Sequence, residues 1–190
     1  MEPKQTGLFG GILTITGGII QLVANSLVLI EAISLITYGY LMVISGILFA
    51  SGLLGPISLR EAGSGSAATG LSISHGFMGF SISFFGLLII DFGAEEAETI
   101  SELVGDILLF WLFLVFIGIL GIIGTILLIG FGIVFFRSLE ATLIGILFII
   151  PILLAWIFLP LHMVICSALL FPLGIFALGA GYIVAVNKIY

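Results

Sequence analysis

From Gly7 to Leu54 this chain carries a single charged residue, Glu31, and from Ile107 to Phe136 it carries none. Apolar runs of that length constrain the fold more than any motif, because about 20 apolar residues cross the roughly 30 Å hydrocarbon core of a bilayer. Lipid offers no hydrogen bonds, so the backbone of such a run must satisfy itself, as a helix does. Composition agrees. The chain is 62% hydrophobic and 7% charged, with a mean hydropathy of +1.47, where soluble domains carry roughly 25% charged residues. Its 190 residues accommodate one membrane domain of several spans and no separate soluble domain.

Spans are expected near 8–29 and 33–54, with a tight turn around Glu31. The Gly- and Ser-rich stretch 55–70 reads as a flexible linker, followed by a third span near 71–90. Residues 107–136 exceed one span and fall short of two, so they read as one long, tilted helix. Two further spans near 141–159 and 163–186 are divided by "PLH" at 160–162. The expected fold is therefore an all-α integral membrane protein of six transmembrane helices. They pair as three hairpins over 8–54, 71–136 and 141–186. With six spans, Lys4, Arg60, Arg137 and Lys188 all fall on one side, and basic residues near span ends favour the cytoplasm. Both termini are then cytoplasmic in a multi-pass cell-membrane protein. The first span is expected to be a retained helix, since "VAN" at 23–25 is a poor cleavage site for a signal peptide.

Six of the ten acidic residues (Asp91, Glu95, Glu96, Glu98, Glu102 and Asp106) crowd into 91–106, which this topology places on the external face. Glu98, Glu102 and Asp106 recur every four residues, opposite Ile100, Leu103, Val104 and Ile107. That spacing predicts a short amphipathic helix at the interface, feeding the fourth span. A weak divalent-cation site is the alternative, but the segment has no EF-hand spacing and no histidine.

Each hairpin opens near a Gly-apolar-apolar phrase and closes on a run denser in small residues. The phrases Gly11-Ile12-Leu13, Gly46-Ile47-Leu48-Phe49, Gly145-Ile146-Leu147 and Gly174-Ile175-Phe176 resemble the HdeD-like family of small six-span membrane proteins, in which two-span repeats recur. The resemblance touches most of the chain, with the acidic loop as its departure. It implies a six-span helical fold and an association with acid resistance, and no defined molecular activity. The acetate/succinate transporter family has similar length and span number, but "EPKQTGL" stands where its "NPAPLGL" entry motif would be.

Small residues let membrane helices approach closely, and Gly7/Gly11, Gly118/Gly121/Gly124 and Ala177/Gly181 are expected to serve that purpose. Pro151 and Pro172 should kink the last two spans. Thr14, Gly18, Gln21 and Asn25 follow at steps of four, three and four, so they share one face of the first span. Facing lipid, the amides would each cost a few kcal/mol. They are expected to point inward, as interhelical contacts or as a polar path for a small solute.

The candidate titratable residues are Glu31, His75 and His162. Glu31 is expected at the outer turn, with His162 on the same face, and His75 near the cytoplasmic start of span three. A buried carboxylate or histidine would mark a proton or cation site. "GSGSAATG" lacks the Gly-Lys-Ser/Thr of a phosphate loop. No nucleophile–base pair, paired catalytic carboxylates or metal cluster lies within the spans, and Cys166 stands alone. No enzymatic activity, cofactor, metal or nucleic-acid partner is expected. The expected partners are the lipid bilayer and other membrane subunits or further copies of the chain. The sequence favours a structural or accessory role in an oligomer or larger membrane assembly, with a channel or carrier for a small neutral or weakly acidic solute as the alternative.

Overall fold

The computed structural model describes residues 2–62, 65–94, 100–158 and 164–190. Their secondary structure is helical: α1 (Pro3–Leu29), α2 (Leu35–Ser51), α3 (Leu54–Ser58), α4 (Gly65–Ala94), α5 (Ile100–Ser138), α6 (Thr142–Phe158) and α7 (Val164–Ile189). Five segments are long and apolar enough to cross a membrane, the second formed by α2 and α3 together, while α6 is apolar throughout and shorter. This is an all-α membrane protein. Its outward face is as apolar as its interior: Ile12, Ile19, Tyr40, Ile47, Val115, Ile126 and Leu147 are all exposed.

The long helices close into a ring. α1 packs on α2 and α7, and the circuit continues through α4, α5 and α6 back to α7. Neighbours run antiparallel, because the contacting pairs count in opposite directions. Along α1 and α7, Gly7 meets Val186, Gly11 meets Gly179 and Gly18 meets Pro172. The joins of α2 with α4 and of α1 with α7 are the most extensive and the α5–α6 join the least. Packing therefore does not set the three sequence hairpins apart as units, since two of the closest joins run between them.

Glycine explains those two joins. A Cβ added at Gly39 would lie 2.7 Å from Gly86 O, one at Gly46 2.6 Å from Gly79 O, and one at Gly11 2.9 Å from Gly179 O. Backbones are in contact at these points, which is the close approach that drives helix association in lipid. Ser45 Oγ adds a bond to Gly17 O (2.9 Å) and Ser83 Oγ one to Val43 O (3.2 Å).

Both chain ends lie at one end of the ring, where Lys188 Nζ donates to Leu139 O (3.4 Å) and Tyr190 Oη to Ser58 O (3.2 Å). Lys4, Arg60 and Arg137 belong to the same end, since Gly7 sits against Ser58 and Val186. The exposed Lys188–Glu140 pair at 3.7 Å contributes at most about 1 kcal/mol.

Several boundaries differ from the sequence reading. The linker is largely helical: α4 begins at Gly65, because Ala67, Ala68 and Leu71 are buried and carry the helix through the serines and glycines. His75 consequently lies ten residues inside a helix and is fully buried within the protein. Residues 100–107, read as an interfacial helix, are continuous with the fourth span. At 39 residues and about 1.5 Å per residue, α5 is about 58 Å long, well over the roughly 30 Å of a bilayer's hydrocarbon core. The rest of the acidic segment, 95–99, and His162 lie outside the described residues.

Glu31 is exposed in the α1–α2 turn and has a backbone role. It takes φ 56° while Ala32 N–H reaches back to Leu27 O at 2.9 Å; after α5, Glu140 takes φ 53° and Ala141 N–H reaches Phe136 O at 2.8 Å. Both are left-handed helix ends of the kind that glycine favours.

Candidate functional site

A cavity of about 370 Å³ occupies the half of the ring away from the chain ends, within the roughly 300–1,000 Å³ of ordinary small-molecule sites. All six long helices line it. α1 supplies Gln21 and Asn25; α2 Tyr38 and Met42; α4 Met78, Ser81 and Phe85; α5 Gly118, Gly121 and Thr125; α6 Trp156; and α7 Ala168 and Phe171. Within each helix these residues recur at three or four, so each presents one face to the space.

Two sequence features create the room. On α5 a Cβ at Gly118 would meet no atom within 4 Å, and one at Gly121 would only reach Ser81 at 4.0 Å. These glycines, expected to pack helices, instead leave the wall bare. Gly124 follows the expectation, with Met78 against it, as do Gly7, Gly11 and Gly181. On α7, Pro172 has no N–H to give the carbonyl four residues earlier, at Ala168. Asn25 Nδ2 fills that vacancy from α1 at 2.7 Å, and Tyr38 Oη donates to Asn25 Oδ1 at 3.0 Å. Asn25 is thereby a three-helix clasp.

The other polar groups divide cleanly. Thr14 is buried and donates within its own helix to Gly10 O (2.9 Å), so it takes no part in the cavity. Thr125 Oγ1 is shared between Gly121 O (2.8 Å) and Met78 Sδ (3.4 Å). Three cavity residues keep a buried polar atom without a partner: Gln21 Oε1, Ser81 Oγ and Trp156 Nε1. An unpaired buried group costs about 1–3 kcal/mol. All three atoms are closed off from the open space as the side chains stand, so a solute reaches them only when those side chains turn toward it. Together they provide an acceptor, a hydroxyl and an N–H donor.

Toward the chain ends the space closes. Residues 75, 78, 82 and 85 share one face of α4, so His75 lies one turn below Met78. Its ring stacks on Phe49 (centroids 4.6 Å, 13° between planes) and lies 5.7 Å from Tyr182. Phe136 stacks on Tyr182 at 6.0 Å, with Phe135 and Phe148 around them. All six rings are fully buried. This aromatic plug lies one turn beyond the cavity, beneath Met78, and none of its rings lines the space.

The structure thus brings Gln21 and Asn25 to one site, leaves Thr14 beside it, sets His75 beneath it and Glu31 outside it. Sequence reasoning missed Tyr38, Met42, Met78, Ser81 and Trp156. The helical spacing of Tyr38 with Met42 and of Met78 with Ser81 and Phe85 was a usable signal, but identical spacings occur on the lipid faces. Among the described residues no group of three His, Cys, Asp or Glu side chains is placed to hold a metal ion. Comparison with protein-family models, curated proteins and solved structures finds no match for this chain.

Proposed function

We propose that this protein is a membrane carrier for a small, uncharged and mainly apolar solute that bears one hydrogen-bonding head group. The observation that carries this reading is the cavity shared by all six helices, whose wall is apolar except for a few polar residues, three of them with unpaired atoms. No Asp, Glu, Lys or Arg lines the cavity, so a charged solute would find no counter-ion there. A weak acid would enter in its neutral form. The plug makes the protein a carrier and not an open pore: the solute site faces one side and is sealed from the other. In this reading α6 completes the sixth crossing, and the end bearing the four basic residues faces the cytoplasm.

Trp156 allows a direct test. The chain has two tryptophans, so a Trp111→Phe variant leaves one reporter, in the cavity wall. In lipid nanodiscs, 4-bromobenzamide should quench Trp156 saturably, through its heavy atom. Gly118→Leu, which fills open space, should abolish the saturable component. Proteoliposomes should also exchange labelled benzamide faster than protein-free vesicles do. Quenching that never saturates, or that Gly118→Leu leaves unchanged, removes this reading.

A second reading, a structural or accessory role in an oligomer, rests on the outer face. Gly76 and Gly130 have no atom within 4 Å of an added Cβ, and Gly76 sits with Ile73, Phe77, Phe80 and Leu120 in an apolar surface groove. Among the described residues, no side chain or neighbouring helix packs where a Cβ of either glycine would stand. A single-chain mass by native mass spectrometry in mild detergent would count against this role.

A further inference from the structure

We propose that His75 is a proton-binding site, and that taking up a proton there parts the plug and opens the cavity toward the chain ends. The inference rests on the reading of the cavity as a solute site and names what regulates it.

The geometry defines both proton states. His75 Nδ1 lies 2.8 Å from Leu71 O. A carbonyl only accepts, so Nδ1 carries the hydrogen and Nε2 holds a bare lone pair. That Nε2 is buried without a partner, and so is the hydroxyl of Tyr182 beside it. Neutral, the imidazole fits as one more ring in an aromatic stack. A proton added to Nε2 leaves the Nδ1–H bond to Leu71 in place and gives a cation with a second N–H that has no acceptor.

Nothing in the shell is built to hold that cation. α2 presents Phe49, and α7 presents Tyr182, the one titratable group facing the ring. Neither α3 nor the length of α5 with described side chains brings an ionisable side chain to it, and no carboxylate is among the buried polar residues whose side chains are described. The faces of Phe49 and Tyr182 offer cation–π attraction, but the new N–H has no oxygen within bonding reach as packed. The unpartnered Tyr182 hydroxyl or a water supplies one only if the plug shifts. Because His75 lies one turn beneath Met78, which lines the cavity, parting the plug removes the support under Met78 and extends the space toward the chain ends. Protonation and solute retention therefore oppose each other, and by linkage each weakens the other equally.

The test uses the full chain in nanodiscs, with 4-bromobenzamide as the probe in the Trp111→Phe background. Its affinity should be several-fold weaker at pH 4 than at pH 8, a coupling of ordinary size. His75→Gln, which keeps a hydrogen-bonding side chain and cannot titrate, should bind equally at both pH values. A wild-type affinity that ignores pH, or a pH dependence that His75→Gln shares, overturns the proton site and leaves the solute cavity standing. Absence of saturable quenching at every pH overturns the cavity reading itself. Should His75→Gln fail to fold, 15N NMR of histidine-labelled protein carrying His162→Gln decides the matter. The expected spectrum shows the Nδ1–H tautomer at pH 8 and a substantial doubly protonated fraction at pH 4. A ring that stays wholly neutral at pH 4 overturns the proposal.

Discussion

The two halves of the ring are made of the same helices and nearly the same residue types, yet one is solid and the other hollow. Toward the chain ends, six fully buried rings interlock around His75 and Tyr182. Away from them, the helices surround about 370 Å³ of space. The difference lies in what faces the axis at each turn. In the solid half, the glycines are filled from across the ring: Gly55 takes the Tyr182 ring, Gly132 the Phe148 ring and Gly181 the Phe136 ring. In the hollow half, Gly118 faces nothing and Gly121 almost nothing. A glycine on the inner face thus makes either a socket or a void, and the residue opposite decides which.

That comparison can be broken by substitutions made in pairs. Phe49→Ala should be the most damaging, at about 3 kcal/mol, because it hollows the plug, whereas Phe85→Ala on the cavity wall should cost about 1 kcal/mol. Unfolding followed by circular dichroism in detergent would show the ranking, and equal losses would mean that the cavity half is as tightly packed as the plug. The opposite change sharpens the contrast. Gly55→Leu should destabilise by about 2–3 kcal/mol through overpacking on Tyr182. Gly118→Leu should instead stabilise by about 0.5–1 kcal/mol through helix propensity while blocking the solute.

Within the cavity the two amides should behave as opposites. Asn25→Leu strands Ala168 O and the Tyr38 hydroxyl, at a cost of about 2 kcal/mol. Gln21→Leu relieves an unpaired oxygen, so the empty protein should gain about 1 kcal/mol while 4-bromobenzamide binds more weakly. Such an exchange of stability for binding marks a site and not a packing contact. The smallest effect is expected at the α1–α2 turn. Glu31→Gly should raise stability by up to about 1 kcal/mol, since glycine adopts the left-handed conformation without strain, and should leave solute affinity unchanged. A loss of affinity there would contradict the purely structural place of that carboxylate.

Much of this was legible without coordinates. The spans followed from the apolar runs and the position of Glu31, because a charge near the centre of a long run is tolerated only at a turn. The inward face of α1 followed from Thr14, Gly18, Gln21 and Asn25, since lipid penalises amides. The remaining inner faces were hidden, because Met42, Phe85 and Ile117 on the axis are as apolar as Ile47, Phe80 and Ile119 against lipid. In water an apolar stripe points to the core; in a bilayer it points nowhere. The helical start of α4 was missed because glycine and serine signal loops in water, while here small residues are helix contacts.

By itself, then, the sequence determined the solvent, the helical class and the approximate span ends, because hydrophobicity and backbone satisfaction act locally along the chain. Only the tertiary structure decided which glycines became sockets and which left a void, that Asn25 would satisfy the carbonyl freed by Pro172, and that His75 would be sealed beneath a cavity. Each of these depends on residues far apart in the chain meeting at one level of the ring, and in lipid that meeting is set by the fit of side chains across helices rather than by any pattern within one.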